Sequence, residues 1–212
     1  VTLLDARGAT FAWRGDQFGG MISSDAVNAN LRNAVIATED KRFYWHFGLD
    51  FYATGAAMVR NFRNGGNPLS GAGGSSITQQ TAKLLCFGRP FDPDTWEDET
   101  AYEADCRRVT LWRKVQEAVY AFAMEARYTK AEILTIYLNR AYLGAGSRGF
   151  EAASQRYFGI SAIDVNPAQS AMLAGLLKAP SSFAPTRNLQ VSQDRGATVI
   201  RLMQENGYLT EA

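Results

Sequence analysis

The sequence predicts a mainly α-helical domain with a short β segment at its N-terminus. Apolar residues recur at helical spacing over most of the chain after Asn28, and several of these stretches open with a capping signal. Signals typical of strands are confined to the first 25 residues. Because 46% of the 212 residues are hydrophobic, the chain has enough apolar surface for one sizeable core, undivided or shared between two lobes.

The N-terminal segment is predicted to form a hairpin or an extended lead-in. Residues 2–5 and Thr10–Trp13 flank a short Ala-Arg-Gly stretch, and Gly19 and Gly20 close the segment. We therefore expect a lead-in over residues 1–25 and the main domain over residues 26–212.

The helices are predicted from apolar periodicity and from the residues at their ends. Capping boxes, in which two side chains satisfy free amide groups at a helix start, are predicted at Ser76, Thr129 and Asn166. Glycines at positions 159 and 207 are typical of helix C-termini. The predicted helices cover residues 28–39, 51–62, 111–128, 131–139 and Phe150–Phe158, with others opening at Ser76 and Asn166 and a last one ending at Asn206 and Gly207. Two glycine-rich stretches between residues 64 and 74 predict a mobile loop.

Residues 91–106 form an acidic insertion with seven Asp or Glu residues and no basic one. We predict a solvated surface segment. A calcium loop is the alternative, although the ligand spacing with its central glycine is absent. Cys86 and Cys106 lie on either side of this insertion and are either buried free thiols or a disulfide. An oxidising compartment favours the disulfide, which would contribute about 3 kcal/mol.

The charge balance excludes some classes of partner. Lys and Arg number 22 against 21 acidic residues, so no face needs to be basic enough for bulk nucleic-acid binding. No apolar run approaches the roughly 18–20 residues that span a bilayer. No signal peptide opens the chain, and we expect the sequence to start inside a longer protein.

Glu39 and Asp40 are the first candidates for chemistry, because they follow an apolar helix and precede several aromatic residues. Desolvation beside aromatic side chains raises the pKa of a carboxyl group, which suits a general acid or base near neutral pH. A solvated acidic pair is the alternative. His46 is the only histidine, which excludes histidine-rich metal sites, and it is predicted to pack and hydrogen-bond.

A second candidate is the passage from a glycine loop into a helix at residues 73–80. Free backbone amides and hydroxyl groups at such a helix start can hold an anion. Lys83 follows one turn later on the face of Gln79 and Gln80. An ordinary capped helix is the alternative, and the missing GxxxxGK[ST] pattern excludes a Walker P-loop.

Arg113, Lys114 and Glu117 lie within about one turn of a helix that is otherwise mostly apolar. A surface ion pair worth about 0.3 kcal/mol is the simplest interpretation. Two cations and a carboxylate on so apolar a helix instead favour a cleft that holds phosphate.

Four ordered motifs resemble those of the peptidoglycan glycosyltransferases, glycosyltransferase family 51. The motifs are EDKRFYWHFGLD at residues 39–50, GSSITQQ at residues 74–80, RKVQE at residues 113–117 and KAEILTIYLN at residues 130–139. Similarity continues at residues 141–144, 156–159 and 173–181. Within the family, the chain is most similar to the first catalytic domain of the bifunctional class A penicillin-binding proteins.

The chain departs from the family pattern at four places. Ser76 replaces a threonine, Leu84 replaces an asparagine after Lys83, and Gly196 stands where a second arginine is expected. The acidic insertion lengthens the connection between the second and third motifs.

The resemblance implies a lysozyme-like, bilobal helical fold with a large head lobe and a smaller, membrane-proximal jaw lobe. The jaw would span about residues 50–74. Its apolar and basic side chains suit the lipid headgroup boundary; they are Phe51, Tyr52, Met58, Arg60, Phe62 and Arg63.

The implied reaction is the polymerisation of lipid II into β-1,4-linked glycan with inversion and release of undecaprenyl pyrophosphate. Glu39 would be the base, and Glu117 would orient the basic groups or hold a divalent cation. The implied substrate-binding residues are Asp40, Phe43, His46, Ser75, Ser76, Thr78, Gln80, Lys83, Arg113, Lys114, Asn139, Lys178 and Ser181.

The resemblance requires no cofactor, because the pyrophosphate already activates the sugar, and it leaves Mg²⁺ or Mn²⁺ at Glu117 open. The expected partners are lipid II, the growing lipid-linked glycan and the membrane surface at the periplasmic face of the bacterial inner membrane. A C-terminal transpeptidase domain and an N-terminal transmembrane anchor are expected outside this chain, and inhibition by moenomycin is expected.

Two other functions stay open. A lytic transglycosylase on the same fold would use one acid and would have no use for the cations Lys83, Arg113 and Lys114. A non-enzymatic scaffold at the membrane surface would make Glu39 and Glu117 merely structural.

Overall fold

A computed structural model describes residues 2–4, 6–7, 10–13, 17–65, 74–108 and 110–210. Most of them are helical, which confirms the predicted fold class. The strands are β1 (Thr2–Leu4), β2 (Thr10–Trp13), β3 (Gln17–Phe18) and β4 (Ser147–Arg148). The helices are α1 (Ala29–Glu39), α2 (Phe51–Arg63), α3 (Ile77–Leu84), α4 (Glu99–Cys106), α5 (Leu111–Arg127), α6 (Lys130–Arg140), α7 (Phe150–Phe158), α8 (Pro167–Leu176), α9 (Pro180–Phe183) and α10 (Leu189–Glu205).

The chain divides into two compact units. The first comprises Val1–Thr38 and Leu138–Ala212, and the second comprises Glu39–Tyr137. None of the helices within the described ranges combines the length and the apolar composition needed to cross a membrane.

The first unit contains strands β1–β4, helix α1 up to Thr38, and helices α7–α10. The predicted hairpin is confirmed, since β1 and β2 pair in antiparallel fashion with Thr2 opposite Trp13. The parallel pairing of β3 with β4 was not predicted, because strands of two residues leave no alternating pattern. Helix α8 packs against α10, where a Cβ on Gly196 would lie 3.0 Å from Cγ of Met172. The departure at Gly196 therefore lets these two helices approach closely.

The second unit contains α2–α5 and most of α6, with α3 packed against α5. Its core includes Phe43, Ile77, Ile133 and Leu134, which are fully buried. The predicted helix starts are confirmed: Ser76 forms a capping box with Gln79, and in the first unit Asn166 forms one with Gln169. The loop predicted between residues 64 and 74 lies largely outside the described residues.

The acidic insertion is mostly exposed, as predicted, but it contains helix α4, which was not predicted. Asp98 caps that helix by accepting a hydrogen bond from the backbone N–H of Ala101 at 2.7 Å. Of the two alternatives for the cysteines, the structure shows the disulfide, with the Cα atoms of Cys86 and Cys106 5.1 Å apart. The insertion is thus tied to the end of α3.

Candidate active site

Glu39, the last residue of α1, is half-buried and is oriented by Gln80. The Gln80 side-chain amide donates to Oε2 of Glu39 at 2.9 Å, and the hydroxyl of Tyr137 donates to Oε1 of Gln80 at 3.0 Å. Burial, reinforced by the negative charge of Glu39, raises the pKa of Tyr137 well above its usual value. Tyr137 therefore stays protonated, and its hydrogen bond keeps the NH₂ group of Gln80 turned towards Glu39.

Asp40 and His46 hold the start of α3. Buried Asp40 accepts a hydrogen bond from the backbone N–H of Ile77 at 3.0 Å, and both of its oxygens lie 3.0 Å from Nε2 of His46. Phe43 is fully buried, with Nζ of Lys130 4.5 Å from its ring centroid. The prediction that His46 packs and hydrogen-bonds is confirmed, while substrate contact by these three residues stays a prediction.

The hydroxyl groups at the start of α3 are engaged within the fold. Ser76 donates to the carbonyl oxygen of Gly48 and accepts from the backbone N–H of Gln79. Gly48 has a φ of +79°, and a Cβ there would lie 3.0 Å from the carbonyl carbon of Ala121, so both conformation and space require glycine. Substrate contact by Ser76 stays a prediction.

Thr78 is buried and belongs to a second polar group at α3. Its hydroxyl donates to Oε1 of Glu125 at 2.6 Å, and Nζ of Lys130 donates to the same oxygen and to the carbonyl of His46, each at 2.7 Å. This network fastens α3 to α5, α6 and the first motif. Substrate contact by Thr78 likewise stays a prediction.

Two of the three cations predicted to form a cluster, Lys83 and Lys114, meet at Glu117 between α3 and α5. Glu117 is 1% exposed and pairs with two ammonium groups, Nζ of Lys83 at 2.9 Å and Nζ of Lys114 at 2.7 Å. Lys114 also donates to the hydroxyl of Ser75 at 2.9 Å. Two partly exposed ammonium groups around one carboxylate leave a net positive charge, which suits a phosphate.

Arg113 is next to this cluster in sequence but has a different partner. Its Nη2 donates to the backbone oxygen of Asp105 at 3.0 Å and to Oδ2 of Asp105 at 2.9 Å. Its guanidinium carbon lies 5.3 Å from the ring centroid of Phe87. Burial opposes ionisation of Asp105, but the hydrogen bond and charge of Arg113 outweigh it, so the pKa of Asp105 is lowered.

Three predicted site residues belong to the first unit. The side-chain amide of Asn139 accepts from the backbone N–H of Ile22 at 3.0 Å and donates to its carbonyl at 2.7 Å, which fixes the end of the lead-in. Lys178 and Ser181 lie near α9, and both are exposed. A substrate contact by any of the three stays a prediction.

A family model described as Transglycosylase matches residues 8–204. The chain belongs to this transglycosylase family. It is 36% identical over 206 residues to penicillin-binding protein 1A of Aquifex aeolicus, and 38% identical over 193 residues to penicillin-binding protein 2a of Streptococcus pneumoniae. These alignments cover 97% and 91% of this chain but only 26% and 23% of the relatives, so the chain spans about a quarter of their length.

A solved structure agrees with the fold of this transglycosylase domain. Penicillin-binding protein 1A from Haemophilus influenzae matches with a TM-score of 0.52 at 20% identity, over 99% of this chain and 19% of that one. The match supports the predicted lysozyme-like helical fold.

The transglycosylase domain does not fit a divalent cation at Glu117. Both carboxylate oxygens are already paired with ammonium groups, and a hard cation needs several oxygen ligands. Within the described part of the chain, the one group of three candidate ligands is Asp40, His46 and Asp50. Asp50 pairs with Arg42 at 2.7 Å and Asp40 with His46, so these groups already satisfy one another.

Sequence reasoning missed the roles of three residues. Tyr137 lies within the fourth motif, but only the structure shows that it orients Gln80. Glu125 and Asp105 were not singled out for a role of their own, since their partners Thr78 and Arg113 lie 47 and 8 positions away. Only the pairing of Glu125 with Lys130 has a local sequence signal, since the two residues lie five positions apart on successive helices.

Proposed function

We propose that this transglycosylase domain is a peptidoglycan glycosyltransferase that polymerises lipid II. One observation carries the proposal: a continuous chain of polar contacts links the candidate base to the cationic cluster. The amide nitrogen of Gln80 lies 2.9 Å from Oε2 of Glu39 and 3.4 Å from the carbonyl of Ser75. The hydroxyl of Ser75 then accepts from Lys114, which pairs with Glu117.

This arrangement matches the two demands of the reaction. The acceptor hydroxyl of lipid II gives its proton to Glu39 as its oxygen attacks the anomeric carbon of the donor. The bond from that carbon to the diphosphate breaks, and the negative charge left on the diphosphate is stabilised by nearby cations. Lys83 and Lys114 supply that charge, and Arg113 adds a group suited to two-pronged contact with phosphate oxygens.

Glu117 acts in this proposal as the counter-ion that positions both lysines. A buried carboxylate between two ammonium groups fixes their separation before a substrate binds. The two ammonium groups then stabilise the diphosphate directly, so no step depends on a metal ion.

Helix α2 supports action at a membrane surface. Phe51, Tyr52 and Phe62 are 72%, 76% and 71% exposed, and Arg60 and Arg63 lie in the last turn of the helix. Exposed aromatic side chains beside basic ones suit the boundary of anionic lipid headgroups. We place the domain at the outer face of the cytoplasmic membrane, with a membrane anchor and a transpeptidase domain in the remaining length that its relatives have.

Labelled lipid II incubated with the purified protein in detergent tests the proposal. We expect a ladder of glycan polymers on a gel that collapses on digestion with a muramidase. A glycan-cleaving enzyme would instead shorten preformed glycan strands, and a scaffold would leave both substrates unchanged. Either of these results would refute the proposed function.

A further inference from the structure

Arg113 is held by a residue that the family motifs do not contain. The two acceptors on Nη2 are the backbone oxygen and the carboxylate of Asp105, at 3.0 and 2.9 Å. The ring of Phe87 lies against the same guanidinium group. Two acceptors and one aromatic ring together fix both the direction and the plane of the group.

Asp105 is in turn held by the disulfide. It directly precedes Cys106, which is joined to Cys86 at the end of α3. The turn Cys86–Gly88 contacts α3, α4 and α5. Cys86 and Phe87 adopt φ angles of +49° and +56°, a backbone conformation that residues other than glycine rarely adopt. The disulfide therefore joins this strained turn, which contains Phe87, to the end of α4, which contains Asp105. Both residues contact Arg113.

The contacts favour positioning of Arg113 over its neutralisation. Asp105 also lies 3.3 Å from Arg89 and 3.7 Å from Arg108, so its single charge is shared among three guanidinium groups. Nη1 of Arg113 is buried and has no hydrogen-bond partner within the described residues. A phosphate oxygen could supply the partner that this donor lacks.

We propose that Asp105 is a positioning residue for Arg113, and that the Cys86–Cys106 disulfide holds Asp105 in place. The proposal rests on the proposed function, in which Arg113 contacts the donor diphosphate. Holding a long, flexible side chain in its binding geometry removes the conformational cost that binding would otherwise carry. The acidic insertion thus serves the site through Asp105, while most of its other acids are exposed.

Asp105→Asn tests the positioning role, with Asp94→Asn as the matched control. Both variants remove one negative charge from the insertion, but Asp94 is exposed and is not among the described partners of Arg113. Undecaprenyl pyrophosphate in detergent is the probe. We expect Asp105→Asn to raise its Kd about 3- to 10-fold, in the range of coupling between contacting residues. Unchanged or tighter binding would overturn the proposal.

A double-mutant cycle separates positioning from a general structural effect. In the Arg113→Ala background, Asp105→Asn should raise the Kd no further, because Asp105 acts only through Arg113. Equal losses in both backgrounds would show that Asp105 acts by another route and would overturn the proposal.

The disulfide is tested by replacing both cysteines with alanine. The Cys86→Ala/Cys106→Ala variant should also raise the Kd for undecaprenyl pyrophosphate. In that background, Asp105→Asn should raise the Kd no further. Asp105→Asn alone keeps the bridge, so it still decides the positioning role of Asp105 if the cysteine variant does not fold.

Lys114→Ala distinguishes failure of this inference from failure of the proposed function. If Lys114→Ala weakens binding of the probe and Asp105→Asn does not, the inference fails and the proposed function stands. If wild type neither binds the probe nor makes polymer, the proposed function fails and the inference with it.

Discussion

The orientation of the Gln80 side-chain amide determines whether its NH₂ group or its oxygen faces the carboxylate of Glu39. A glutamine side chain presents an acceptor at one end and donors at the other, so a reversed amide would place an oxygen against the Glu39 carboxylate. Tyr137 opposes this reversal, because its protonated hydroxyl donates to the amide oxygen while the amide NH₂ group donates to Glu39. A buried tyrosine thus acts on the geometry of Glu39 through Gln80.

Tyr137→Phe tests this role. The variant keeps the ring but removes the donor to Oε1 of Gln80, and we expect a loss of about 1 kcal/mol in the free energy of unfolding. The polymerisation rate should fall about tenfold, because Gln80 no longer holds Glu39 in one orientation. Urea unfolding and lipid II turnover measure the two effects. Wild-type turnover in this variant would show that Gln80 needs no such anchor.

The net charge of the cluster around Glu117 also depends on single residues. Lys114→Ala removes the ammonium group that links Ser75 to Glu117. We expect the affinity for undecaprenyl pyrophosphate to fall by about 1.5–3 kcal/mol, the range for hydrogen bonds to charged groups. Lys41→Ala is the control, since Lys41 is an exposed lysine close to the first motif. Equal effects of the two changes would indicate nonspecific electrostatic attraction.

At the scale of elements, helix α2 depends on the residue that precedes it. Asp50 accepts from the backbone N–H of Ala53 at 2.8 Å and pairs with Arg42 at 2.7 Å. Burial opposes ionisation of Asp50, but hydrogen bonds from Arg42 and from that backbone amide outweigh it and lower its pKa. The fold therefore favours the ionised carboxylate.

Asp50→Asn separates the charge from the cap, because asparagine also caps helices well. A lowered pKa gives stability that is present above the unfolded pKa of about 3.9 and lost as pH falls through the folded value. We expect the variant to be about 1 kcal/mol less stable than wild type at pH 7, and the difference to be lost as the pH falls through the lowered pKa of Asp50. Asp25→Asn, at an exposed aspartate, should show no such difference. A difference in the free energy of unfolding that stays constant with pH would contradict the lowered pKa of Asp50.

The disulfide gives a second prediction at this scale. Protein unfolded without reductant should show no reactive thiols, because Cys86 and Cys106 are both bridged. Reduction should lower the free energy of unfolding by about 3 kcal/mol, as expected for a loop closed over 20 residues. Two reactive thiols per unfolded chain would refute the bridge.

The sequence predicted those elements whose signals are local. Capping residues at Ser76 and Asn166 lie within four positions of their partners, so a short window of sequence contains the whole signal. The pairing of β3 with β4 joins residues 130 positions apart and has no such signal. Helix α4 was not predicted, because its acidic residues are typical of a solvated surface segment, although Asp98 is a good helix cap.

In the candidate site too, the sequence predicted the residues that lie in local motifs and missed the contacts between distant ones. Lys83 and Lys114 were assigned to one cluster because each belongs to a recognisable motif, and the structure brings them to Glu117. The link between Asp105 and Arg113 could not be predicted, because it depends on how the disulfide folds the insertion back onto α5.

At the scale of the whole molecule, both candidate catalytic residues lie in one of the two compact units. Glu39, Gln80, Lys83, Lys114 and Glu117 all fall within Glu39–Tyr137. The chain spans about a quarter of the length of its penicillin-binding relatives. The proposed chemistry therefore requires only residues present in this chain, whatever the remaining length of such proteins contributes.

The most direct test of the central claim is the rate at which Glu39→Gln polymerises labelled lipid II. The amide fills the same space but cannot accept the proton of the acceptor hydroxyl, and loss of a general base costs about 10²- to 10⁴-fold. Glu97→Gln is the matched control, since it makes the same change at an exposed residue of the acidic insertion. We expect the Glu39→Gln rate to fall at least a hundredfold, with unchanged affinity for undecaprenyl pyrophosphate and a wild-type rate in the control. Retention of more than a tenth of the wild-type rate by Glu39→Gln would contradict the account.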